Sequence, residues 1–118
     1  MALNDTHIRY LLTIYRLSQN NQAVLSKDIA NCLSVQRPSV AQMLTVLMDK
    51  GLVLKERYGK VSLTDRGYFT ARQLAGQAQV LSELMQSRLS LPELDAWRAA
   101  CAAVCSLRRE QTFSIRFA

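Results

Sequence analysis

Along most of the chain, apolar side chains return every three or four residues, and short polar runs separate these stretches. That period puts them on one face of an α-helix. Ile8, Leu11, Leu12, Ile14 and Tyr15 recur in this way just after Asn4 and Asp5, both good caps, and predict a first helix. The polar run SQNNQ, residues 18–22, closes it. Ser26 stands as the cap of a short helix over KDIANCL with Ile29, Ala30 and Leu33 inward, and a turn at 34–36 follows. In RPSVAQMLTVLMDKG, Val40, Leu44, Leu47 and Met48 share a face. Pro38 falls in the first turn, where its missing N–H costs nothing, and Gly51 lies just past the end.

The period then changes. LVLKERYGKVSLT has two short β-prone segments around a tip at 57–60, with Gly59 supplying the turn. Thr64 is expected to cap a long helix reaching about Arg88, with Phe69, Leu74, Leu81 and Leu84 as its large apolar positions. SLPE, residues 90–93, has the spacing of a capping box, ahead of a last helix bearing Leu94, Trp97, Cys101 and Val104. In the tail TFSIRFA, Phe113, Ile115 and Phe117 alternate as in a strand.

Helix, tight turn and second helix, with Ala30, Ser34 and Val40 at the crossing, the turn and the contact, match a helix-turn-helix. A hairpin directly after it makes the pattern a winged helix. The fold expected is therefore mostly α: a winged helix-turn-helix over residues 1–72 with a small β-hairpin wing, then dimerisation helices and a short tail over 73–118.

Charge sharpens this picture. The chain has 118 residues and a net charge of +6. Residues 27–72 carry eight basic side chains against four acidic ones, and 73–118 five against four, so the excess surrounds the second helix of the motif and the hairpin. A basic balance there suits a polyanion. In a winged helix the second helix enters the major groove and the wing lies beside phosphates, which Lys55, Arg57 and Lys60 near the tip would contact. The competing reading is a set of solvated hairpin charges. No apolar run reaches the length of a membrane span, and MALNDTHIRY lacks a secretory pattern, so a cytoplasmic protein is expected. With one histidine, no CxxC or HExxH element and no base beside a strong nucleophile, enzyme chemistry has no support.

LLTIYRLS, VLSKDIANCLSVQRPSVAQMLTVLMDKGLV and ERYGKVSLTDRG, with the long helix after them, resemble the diphtheria-toxin-repressor and manganese-transport-regulator family of bacterial metalloregulators. The resemblance covers about residues 7–105. It implies a homodimer that binds a palindromic double-stranded DNA operator and represses when a divalent metal is bound. Carried over by position, Gln36, Pro38, Ser39 and Gln42 face bases, with Arg37 bulkier than the small residue usual there. Short groups of this polarity suit direct readout. Lys27, Arg57 and Lys60 complete the expected DNA-binding set.

The same carry-over leaves the metal site without its ligands. Arg9, Leu12, Ala78, Cys101, Val104 and Cys105 occupy the ligand positions, and only Cys101 is of a family type. Manganese and ferrous iron prefer carboxylate and imidazole. No cofactor is therefore expected, with zinc on Cys101 and Cys105, one helical turn apart, as the rival to simple core packing. His7 reads as a surface residue at the edge of the first helix. Leu84, Leu94, Trp97, Cys101 and Val104 are the expected dimer surface, with Trp97 a core or dimer anchor. Against the DNA-binding regulator stands a second class: a winged-helix module that has lost DNA and binds a protein through residues 36–46, with Met43 and Val46 as anchors.

Overall fold

Asn4 opens the first helix by accepting from the His7 N–H at 2.9 Å, while the His7 ring Nδ1 accepts from the Asn4 N–H at 3.1 Å. This reciprocal box starts α1, Asp5–Ser18, whose Leu11, Leu12 and Ile14 are almost wholly buried. His7 is thus a buried capping group rather than the surface residue expected, because the box folds its ring back onto the helix end. The structure is a computed structural model and describes residues 3–20 and 23–109. The strand expected for TFSIRFA lies outside the described residues.

Helix α2, Ser26–Leu33, starts one residue earlier than expected, at the serine that was to cap it. Leu25 is the flanking residue, and its N–H donates to Asp28 Oδ2 at 3.0 Å, so Asp28 does the work assigned to Ser26. Ser34 turns the chain with a left-handed φ of 56°, and α3, Arg37–Asp49, follows with Val40, Leu44 and Leu47 buried. Next come β1, Val53–Lys55, and β2, Val61–Leu63, an antiparallel pair with Leu54 opposite Ser62. Val61 donates to Val24 O at 2.8 Å, which ties the hairpin to the segment before α2.

Thr64 seats the next helix. Its hydroxyl accepts from Gly67 N–H at 3.0 Å and donates to Gly51 O at 2.7 Å, joining the start of α4, Asp65–Leu89, to the end of α3. Gly67 lies so near Leu52 that a Cβ there would stand 2.0 Å from its carbonyl oxygen. Only glycine permits that approach.

The inward face of α4 is built from small residues rather than from its large apolar ones. Gly67, Ala71, Ala75, Ala78 and Ser82 are buried, whereas Phe69 is 76% and Leu84 44% exposed. Small residues let α1 and α5 pack close to the α4 backbone, and Leu74 and Leu81 fill the edges. Ser90 departs from expectation too. It ends α4 with a left-handed φ of 56°, so it cannot serve as the extended N-cap of α5, Glu93–Arg109.

Two apolar clusters result. One joins α1, α2, α3 and the hairpin. The other joins Ile8 and Leu12 of α1 to Ala75 and Ala78 of α4 and to Trp97, Cys101, Val104 and Cys105 of α5. Trp97, Cys101 and Val104 are each at most 1% exposed inside this subunit. They are core, and cannot be the dimer surface expected of them, because α1 and α4 cover them. Trp97 Nε1 donates to the buried Thr13 hydroxyl at 3.2 Å, and Arg98 donates to Cys32 O at 3.0 Å, fixing α5 to α1 and α2.

Candidate nucleic-acid interface

The buried stripe of α3 decides what its other side can do. With Val40, Leu44 and Leu47 turned into the core, Gln36, Arg37, Pro38, Ser39 and Gln42 are all exposed in the first two turns. Gln36 is the residue at the helix start, and its carbonyl accepts from Ser39 and Val40 N–H at 3.0 and 3.2 Å. Its side chain makes no capping bond. Thr45 is exposed too, but its hydroxyl donates back to Ala41 O at 3.1 Å. The structure therefore gathers the four residues expected to face bases, and Arg37, on one short helical surface.

Lys27 is exposed in the first turn of α2. At the wing, Lys55, Arg57 and Lys60 are exposed around a 3-10 turn at Arg57–Gly59. Lys60 Nζ lies 3.9 Å from Glu56 Oε2, both side chains being half exposed. Such a pair is worth little in water, so it leaves Lys60 able to meet a phosphate.

Two neighbours of this surface were not among the sequence candidates. Tyr58, at the wing tip, is 95% exposed and held at φ 65°. An aromatic residue between Arg57 and Gly59 was the available signal. Arg9 comes from α1 and lines a groove with Ser39, Gln42, Met43 and Val46. No local pattern announces it, since helix packing alone brings residue 9 beside residues 39–46.

The positions inherited from the metal site are also together. Leu12, Ala78, Cys101, Val104 and Cys105 all belong to the second apolar cluster. Burial pushes the Cys101 thiol up to about 12, with the neighbouring Cys105 thiol adding to the effect and Arg9 and Arg16 opposing it. Burial likewise raises the Cys32 thiol. Cys105 Sγ lies 3.7 Å from Asp5 O. Among the described residues, no three His, Cys, Asp or Glu side chains converge as a metal ion requires. A cluster of aliphatic groups and buried thiols does not fit manganese or ferrous iron, which take oxygen and imidazole donors.

The family profile described as iron dependent repressor, N-terminal DNA binding domain, matches residues 3–61. The chain belongs to this family. The matched stretch runs from α1 through the start of β2 and contains the whole exposed surface of α3. Among solved structures, that of the manganese regulator SloR is similar at a TM-score of 0.61 and 27% identity, covering 97% of this chain and 49% of that one. The hypothetical protein SSo2273 from Sulfolobus solfataricus shares the fold at a TM-score of 0.59 and 23% identity, over 91% of this chain and 78% of that one. The apo form of the manganese-activated repressor ScaR shares it at 0.53 and 24%, over 70% and 40%. This chain spans about half the length of SloR. No curated protein sequence matches it significantly. The matched family model is that of a DNA-binding domain. Among the described residues, no helix is long and apolar enough to cross a membrane.

Proposed function

We propose that this protein binds a palindromic double-stranded operator as a homodimer, represses transcription there, and does so without manganese or iron. The observation that carries this reading is the exposed surface of residues 36–42, small and polar, beside a wing bearing Lys55, Arg57 and Lys60. Gln42 and Ser39 have the size and hydrogen-bonding groups for base edges, and the wing cations suit phosphates. Metal independence is supported by the aliphatic and thiol groups that stand where ligands are needed. Dimerisation is supported by the exposed Leu84 and Leu89 at the far end of α4 and by the half-buried Leu94.

The test is anisotropy of labelled intergenic duplexes across a salt series. Binding should weaken steeply as salt rises, because phosphate contacts release counterions. Lys60→Ala or Arg57→Ala should weaken all sequences alike and lower the salt slope by about one. Gln42→Ala should cost on the order of 1–3 kcal/mol on the preferred site only. Metal-stripped protein should bind equally with manganese or ferrous iron added. Uptake of one such ion per subunit, coupled to tighter binding, contradicts the metal-independent part.

A second reading has its own observation: Leu33, Val35, Met43 and Val46 line a groove of about 490 Å³ between α1 and α3. On that reading the groove holds a protein segment. Failure to bind any duplex at low salt would favour it.

A further inference from the structure

A second concave site lies away from the α3 surface. It has a volume of about 490 Å³ and is walled by the end of α1, the middle of α4 and the start of α5. That size falls within the range of small-molecule sites. We infer that this pocket binds a small organic carboxylate with a flat apolar body.

Charge points to an anion. Arg16 and Arg72 both line the pocket, against the single carboxylate of Glu93. Arg16 is already engaged: it pairs with Glu93, and its guanidinium lies over the Trp97 ring, 5.0 Å from the centroid. Arg72 is exposed at the rim and pairs with no carboxylate among the described residues. A planar guanidinium in that position suits a carboxylate, which it can grip through two parallel hydrogen bonds. Tyr15, half-buried, supplies the apolar surface for the rest of the ligand, and the nearly buried Ala75 and Trp97 form the floor behind it.

Gly76 is the independent sign. It stands in the interior of α4, where glycine costs about 1 kcal/mol relative to alanine. Its φ is not positive, and a Cβ there would meet nothing within 4 Å. Neither a turn nor close packing calls for glycine at this position, unlike Gly67 on the same helix. What Gly76 does is leave one wall of the pocket without a side chain.

The chain has one tryptophan, and it lines the pocket, so its emission reports on occupancy in DNA-free protein. This readout is separate from any DNA measurement, and the inference survives or fails independently of the operator reading. Phenylacetate and 3-phenylpropanoate are the probes, with phenylacetamide as the uncharged control. At least one carboxylate should give a saturable change with a dissociation constant near 1 mM or tighter, on the order of 4 kcal/mol of binding. The amide, and either carboxylate on Arg72→Ala, should bind about tenfold more weakly or worse, as loss of a charge-assisted bond requires. Gly76→Leu should abolish binding while melting no lower than wild type, and Gly76→Ala should weaken it. If Gly76→Leu does not fold, Arg72→Ala and Gly76→Ala decide. The inference is overturned if neither carboxylate saturates by about 10 mM. It is overturned equally if the amide binds as tightly, or if the variants at 72 and 76 bind like wild type.

Discussion

At residue scale, the histidine and two of the glycines show how the surroundings set a side chain's role. His7 must keep Nδ1 unprotonated to accept from Asn4 N–H. Burial first, and the Lys50 charge second, hold its pKa below the ordinary 6.5. Because the folded value is depressed, the stabilisation is complete above about pH 6.5 and is lost as pH falls through the folded value. Melting temperature should therefore drop between about pH 7.5 and about pH 5.5, and His7→Gln, which preserves the box with a neutral acceptor, should remove that part of the drop. An identical pH profile for the two proteins would contradict this account. Gly67 and Gly76 answer the same substitution with opposite signs. Gly67→Ala drives a Cβ into Leu52 O and should cost on the order of 3 kcal/mol or more in urea unfolding. Gly76→Ala should gain up to about 1 kcal/mol in the same measurement, since it adds helix propensity and touches nothing.

At the scale of elements, α4 carries the instructive difference. Its large apolar residues Phe69, Leu74, Leu81 and Leu84 stand out in sequence, yet the buried stripe is Gly67, Ala71, Ala75, Ala78 and Ser82. Periodicity identifies a helix, but it does not say which face a close neighbour will choose. SLPE misleads in a similar way. Its Ser and Glu have capping-box spacing, but the left-handed turn at Ser90 belongs to the helix before it. Thr64 was legible as a cap, and the structure adds a second bond to Gly51 O. Thr64→Ala should thus cost about 1–2 kcal/mol by urea unfolding, at the upper end for a cap. It should also weaken DNA binding, because the wing loses its tie to the end of α3. A loss below about 0.5 kcal/mol would show that the second bond contributes nothing.

At the scale of the molecule, assembly and stability separate. Trp97 is enclosed and bonded to Thr13, so Trp97→Ala should cost roughly 3–5 kcal/mol of subunit stability, read by denaturation. Leu84 and Leu89 are 44% and 65% exposed, so Leu84→Arg with Leu89→Arg should lower the dimer fraction in sedimentation and leave subunit unfolding nearly unchanged. If Trp97→Ala dissociates dimers of otherwise unaltered stability, the assignment of Trp97 to the core is wrong. The sequence by itself determined the five helices, the hairpin, the turn at Ser34 and the outward surface of residues 36–42. Each of these depends on spacing, caps or turn chemistry within a few neighbouring residues. Tertiary structure alone decided which face of α4 is buried, that Trp97, Cys101 and Val104 belong to the core, that Arg9 reaches α3, and that Arg72 and Gly76 share a pocket with Trp97. Those outcomes depend on contacts between residues far apart in the chain, where no local period carries the information.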